Sequence, residues 1–279
     1  VWQQEQLGSE MMKKQEQYWL QLFEGEIPVA ELQTDYPRTE MQSFEGSRLR
    51  FMLDARLTQQ MNELAERTDS TLYMIMLAAY NIMLSKYTGQ HDIVVGSPIA
   101  GRSHADVQNM MGLFVNTLAM RNAPVGSKSL LAFLKEVRQN ALAAFENQGY
   151  PFEELIEKLQ VRRNASRNPL FDTMFSLQNM DAVKLELDEL EIQSYPYVLK
   201  IAKLDLTIEA TETEQGIELQ FEYNINLFKG ETIARMGGHY AKILEAMVGN
   251  PEQLLSAIEM VTQEEIKVIE AFNHTQAEY

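Results

Sequence analysis

Two strictly alternating runs constrain this chain most. Leu204-Asp205-Leu206-Thr207-Ile208-Glu209-Ala210 and Ile217-Glu218-Leu219-Gln220-Phe221-Glu222-Tyr223 are separated by only Glu212–Gly216. That spacing predicts an antiparallel hairpin, and its apolar and polar faces predict a sheet covered on one side. The cover is also visible. Thr71–Tyr87 is apolar on most sides (Leu72, Met76, Ala79, Tyr80, Met83), as a helix buried against a sheet must be. Three of the sixteen methionines, Met74, Met76 and Met83, lie in or beside this pattern and read as core filler.

The rest of the chain alternates irregularly between the two periods. Strands are expected at 48–53, 92–96, 114–121, 171–178, 203–211 and 217–225. Helices are expected over 8–24, from a Thr58 cap to Arg67, over Ser129–Gln148, from Pro151 to Leu159, over Glu231–Val248, and after a Thr262 cap. Asp35-Tyr36-Pro37-Arg38 reads as an extended loop. The fold class that follows is α/β, a sandwich built on a mixed sheet.

Composition narrows the function. The formal net charge of -16 repels nucleic acid phosphates and anionic lipid, so neither nucleic acid nor a membrane is an expected partner. No apolar run reaches the ~18 residues of a membrane span, and Val1-Trp2-Gln3-Gln4-Glu5 has no secretory pattern. The absence of cysteine removes thiol chemistry and fits a cytoplasmic protein. The four histidines, His91, His104, His239 and His274, are scattered and offer no metal-ligand spacing. His239 lies mid-helix, where a surface or satisfied structural role is expected. Gly96-Ser97-Pro98 lacks the Gly-x-Ser-x-Gly elbow, and Gly126-Ser127-Lys128-Ser129 lacks the leading glycine of a phosphate loop. No catalytic residue and no metal site are therefore assigned.

Four blocks carry more information together than singly. They are Val94-Val95-Gly96-Ser97-Pro98-Ile99-Ala100-Gly101-Arg102, Met111-Gly112-Leu113-Phe114-Val115-Asn116-Thr117, Tyr150-Pro151-Phe152-Glu153-Glu154-Leu155 and Ser166-Arg167-Asn168-Pro169-Leu170-Phe171. Each has a plain structural reading. Gly96 and Gly101 permit turns, Arg102 is a surface charge, and Asn116 satisfies backbone groups. In this order, however, the blocks resemble the C-terminal half of a non-ribosomal peptide synthetase condensation domain. Trp2-Gln3-Gln4 resembles the segment just after that family's first lobe, and Phe272-Asn273-His274-Thr275 resembles the entry to a following adenylation domain.

The resemblance implies a chloramphenicol acetyltransferase-like α/β sandwich with a mixed sheet, one lobe of a two-lobed domain with a tunnel between the lobes. It implies a domain over 1–270 and the start of a linker over 271–279. Carrier proteins would deliver thioesters on phosphopantetheine arms, and no cofactor would be bound directly. The family's His-His-x-x-x-Asp-Gly motif belongs to the other lobe, so this chain alone is expected to be inactive. Gly96, Ser97 and Arg102 would line or shape the tunnel. Asn116 and Thr117 would lie near the lobe junction, and Arg167 and Asn168 would be structural or lobe-bridging. Arg162 and Arg163, with Arg167, form a basic patch that could steer an acidic carrier, or could pair with the acidic helix at Glu153–Glu157. Gln148-Gly149 and Arg162-Arg163-Asn164-Ala165 depart from the family's usual wording. The implied partners are the N-terminal lobe, peptidyl carrier proteins and the adenylation domain. An epimerisation or cyclisation domain of the same superfamily, and a non-catalytic interaction module, remain as alternatives. With the first lobe absent, Leu170–Asn179 and Tyr195–Lys203 are expected to be exposed and apolar, favouring self-association.

Overall fold

The computed structural model describes residues 8–102, 105–108, 110–161, 164–178 and 199–273. The strands are β1 (Gly46–Asp54), β2 (Ile93–Ile99), β3 (Asn116–Asn122), β4 (Thr173–Gln178), β5 (Leu206–Thr213) and β6 (Gly216–Asn224). The helices are α1 (Glu10–Leu22), α2 (Ala55–Arg67), α3 (Leu72–Thr88), α4 (Leu130–Glu146), α5 (Phe152–Leu159), α6 (Gly230–Gly249) and α7 (Gln263–Asn273). Every expected element is present. The sheet order is β1-β6-β5-β4-β2-β3, with β2, β4 and β5 parallel and the remaining pairs antiparallel. This is the mixed-sheet α/β sandwich of the chloramphenicol acetyltransferase type.

Strand alternation decides which face is covered. Phe51, Ile208, Phe175, Leu219 and Phe221 belong to the core, whereas Arg48, Arg50, Glu218 and Glu222 pair with one another on the opposite face. α3 is the centre of the covered side. Its buried residues run unbroken from Met74 to Ser85, and it packs against α2, α4 and α6. Its N-cap Thr71 accepts from the Met74 N–H, and it stops at Gly89, whose φ of 70° suits glycine.

One cap differs from expectation, and a second comes from a distant loop. α2 begins at Ala55, because the Asp54 carboxylate takes the Leu57 N–H at 2.8 Å. Thr58, one turn in, instead donates to the Asp54 carbonyl at 2.9 Å. α6 has no side-chain cap of its own. Asp35 supplies it from the Asp35–Arg38 loop, accepting from Lys229 N–H at 2.8 Å and the Thr232 hydroxyl at 3.0 Å.

The exposure expected at Leu170–Asn179 is corrected. β4 lies inside the sheet between β2 and β5, and Leu170, Phe171 and Phe175 are buried. β4 is paired with β5 along its whole length and joins β2 at Gly96 opposite Met174. Asn179 and Tyr195–Val198 lie outside the described residues. Of the remainder of that second stretch, Ala202 is buried and donates to the Phe44 carbonyl at 3.0 Å, while Ile201 is exposed.

Candidate functional site

The four blocks, far apart in sequence, form one contiguous cluster. Gly96 lies within β2 rather than at a turn. A Cβ there would sit 2.3 Å from the Phe171 ring, so the missing side chain makes room for that ring to lie over the strand. Phe171 in turn packs against Phe152, with centroids 5.4 Å apart. Ser97 points to the other face. It is buried and accepts the Tyr73 hydroxyl of α3 at 2.8 Å. Burial pushes the Tyr73 phenol well up, so it remains a donor. Ser97 therefore shapes β2 from behind and presents nothing to solvent.

Beyond β2 the chain turns at Gly101. Its φ is +64°, and a Cβ would meet the Phe114 carbonyl oxygen at 1.8 Å, so glycine is required on both counts. Arg102 then gathers the following loop. Its guanidinium donates to the carbonyls of Val107 and, at 2.7 Å, Met110, and lies over the Phe114 ring at 4.5 Å. It is an organising charge rather than a free surface one. The loop it organises turns apolar side chains outward: Met111 is 100% exposed, Leu113 91%, Val115 59% and Met110 52%. Neither stretch expected to be exposed, Leu170–Asn179 or Tyr195–Lys203, includes this surface, although Met110-Met111-Gly112-Leu113 shows it as an apolar run without helical or strand period.

Asn116 fastens the end of β3 to the α4–α5 corner. Its amide nitrogen donates to the carbonyls of Gln148 at 3.0 Å and Tyr150 at 2.8 Å. Its oxygen accepts from Thr117 N–H at 2.9 Å and from Phe152 N–H at 3.1 Å. The last contact caps α5, whose N-cap residue Pro151 has no capping side chain. Thr117 continues β3 opposite Pro98. Trp19 of α1 closes the same corner by donating to the Asn147 carbonyl at 3.0 Å.

Arg167 and Asn168 belong to a neighbouring ion cluster. Arg167 pairs with Asp172 at 2.7 Å, and the Asn168 N–H donates to the other Asp172 oxygen at 3.0 Å. Arg38 pairs with Asp205 and donates to the Ser166 carbonyl at 3.1 Å. Both aspartates are buried at the heads of β4 and β5. Burial pushes the Asp205 carboxyl above its usual range against the pull of Arg38. Burial opposes the charge on Arg38 as well, but the hydrogen bond and charge of Asp205, with Asp172 beyond, hold that guanidinium ionised. Arg167 is thus committed to Asp172 and not to the α5 acids. Arg162 and Arg163 lie outside the described residues. The sequence reading missed Arg38, Asp172 and Asp205. A carboxylate at the head of a buried strand demands a cation, and that was the available signal.

No histidine enters this cluster among the described residues, and no group of three or more metal-ligating side chains occurs among them. The geometry defines a class: an α/β sandwich on a mixed sheet whose four motifs meet in one cluster beside an exposed apolar loop. The chain belongs to the condensation-domain family, whose model matches residues 1–270. Gramicidin S synthase 2 of Aneurinibacillus migulanus is 52% identical over 281 residues, covering 100% of this chain and 6% of that protein. Tyrocidine synthase 3 of Brevibacillus parabrevis is 49% identical over 280 residues, covering 100% of this chain and 4% of that protein. The fold matches the X-domain from teicoplanin biosynthesis with a TM-score of 0.87 at 22% identity, over 93% of this chain and 61% of that one. The chain is thus a small part of the curated relatives it matches. Among the described residues no helix is long and apolar enough to cross a membrane.

Proposed function

We propose that this chain is the C-terminal lobe of a condensation domain in a cytoplasmic non-ribosomal peptide synthetase. It forms one wall of the tunnel in which carrier-bound thioesters react. The acceptor amine attacks the donor thioester carbonyl; the C–N bond forms, the C–S bond breaks, and the donor's phosphopantetheine thiol is released. The lobe contributes position rather than proton transfer. The observation that carries this reading is the outward-facing Met110–Val115 surface, held in place by Arg102 and contiguous with the four-block cluster. An apolar surface so fully exposed marks a face that another body covers, and the N-terminal lobe of the same domain is that body. Peptidyl carrier proteins and an adenylation domain are the further partners.

The test is dipeptide formation between two carrier proteins loaded with aminoacyl thioesters. The chain alone is expected to give no product above the uncatalysed background. Addition of the N-terminal half is expected to restore turnover. Turnover by the chain alone would overturn the reading.

A further inference from the structure

Away from the four-block cluster, Tyr87 of α3, His239 of α6 and Glu265 of α7 form a hydrogen-bonded chain. The Tyr87 hydroxyl is 2.7 Å from His239 Nδ1, and His239 Nε2 is 2.8 and 3.0 Å from the two Glu265 carboxylate oxygens. His239 is buried. Glu265 has a second task. The same carboxylate oxygen that takes the shorter His239 contact accepts Thr262 N–H at 2.8 Å and the Thr262 hydroxyl at 2.9 Å. The Glu265 N–H donates back to that hydroxyl at 3.3 Å. This is a capping box whose acid also docks the helix. Burial alone would raise the Glu265 carboxyl, but the hydrogen bonds from Thr262 and His239 outweigh it and hold it below its usual range.

A tyrosine–histidine–carboxylate chain invites a catalytic reading, which the phenol argues against. Burial pushes Tyr87 up to about 12, so it stays a protonated donor. The rest of α7 holds on weakly. Among the described residues of this helix none is buried and only Glu265 and Ile266 are of intermediate exposure, while Val268, Ile269 and Phe272 are 52%, 52% and 76% exposed. Val268 and Ile269 line an open cleft of about 360 Å³ with Arg235 of α6. An 11-residue helix with so little burial is shorter than the ~12–15 residues at which helices become even marginally stable alone.

We propose that the Tyr87–His239–Glu265 chain is a clasp that couples docking of α7 to its folding. One carboxylate both nucleates the helix and anchors it to α6, so α7 is either docked and helical or released and unwound. The clasp is then a conformational device at the end of the lobe, setting whether the chain beyond α7 leaves from a fixed or a swinging point.

Amide hydrogen exchange on this chain tests the proposal. The wild-type chain is expected to protect the amides of 266–273. His239→Ala leaves the Thr262–Glu265 capping box intact, yet is expected to speed exchange across α7 about tenfold, since it removes the buried partner of a charged group. Glu265→Gln, a change on the α7 side that spares the core, is expected to act in the same direction. Exchange in the β5–β6 hairpin reports whether the fold survives. If His239→Ala speeds the hairpin too, Glu265→Gln decides. Unprotected α7 amides in the wild-type chain, or α7 protection unchanged in both variants, would overturn the clasp.

Discussion

Replacing Asn116 should reveal whether the four-block cluster is held together as described. Its side chain satisfies four backbone groups: the carbonyls of Gln148 and Tyr150 and the N–H groups of Thr117 and Phe152. Each lost bond costs ~0.5–1.5 kcal/mol net, and water replaces some of them because the site is only partly buried, so Asn116→Ala should cost about 2–4 kcal/mol. For a chain of 279 residues that corresponds to a fall in Tm of about 3–7 °C. Urea unfolding followed by tryptophan fluorescence is a suitable assay, since buried Trp19 donates to Asn147 at the same corner. Asn116→Asp sharpens the test. It keeps an acceptor but sets a carboxylate oxygen against two carbonyls, so at pH 7 it should cost at least as much as alanine. The two carbonyls raise its folded-state titration above the unfolded value, so its deficit relative to wild type should shrink as the pH falls towards ~4, where the acid protonates and regains a donor. A cost below about 1 kcal/mol for Asn116→Ala, or no pH dependence of the aspartate deficit, would refute the reasoning.

Three further outcomes follow from the same structure. Asp205→Ala should cost ~3–5 kcal/mol in chemical denaturation, because it strands the partly buried Arg38 guanidinium; a cost near zero would show that the pair is dispensable. Asp35 is held below its usual range: burial would raise it, but the Lys229 N–H, the Thr232 hydroxyl and nearby Lys229 and Arg235 charges outweigh that. A lowered carboxylate contributes stability that is present above its unfolded value and lost as pH falls through its folded one. The melting difference between wild type and Asp35→Asn should therefore be full above pH ~4 and shrink progressively as the pH falls below it, and a constant difference would contradict the cap. Light scattering at micromolar concentration should show self-association of the chain, and Met111→Asp with Leu113→Asp should abolish it; a monomeric wild-type chain would mean that this apolar surface is tolerated in water.

Much of the fold was legible because its signals are local. Period-2 alternation marks β5 and β6 residue by residue, and an all-round apolar run such as Leu72–Leu84 has only one place to go. The order of the four blocks was legible as well. Their meeting was not, because Gly96 under Phe171 and Gly101 under the Phe114 carbonyl are contacts between segments far apart or folded back on themselves. Charge pairing was hidden for the same reason: Arg38 and Asp205 are 167 residues apart, and nothing near either names the other. Asp54 displaced Thr58 as the α2 cap because the helix starts directly from the end of β1, one turn before the helical pattern suggests. Of the apolar stretch expected at Leu170–Asn179, Thr173–Gln178 is a strand inside the sheet and Leu170, Phe171 and Phe175 are buried, since a run of this kind suits a central strand as well as an exposed one.

Under the proposed function, Met110–Val115 seats the other half of a two-lobed domain. Sedimentation velocity of this chain titrated with the separately produced N-terminal half tests it most directly. A one-to-one complex is predicted, weakened at least about tenfold by Met111→Asp with Leu113→Asp, as expected for loss of apolar anchors at an interface centre. Absence of a complex, or a complex indifferent to those substitutions, would contradict it.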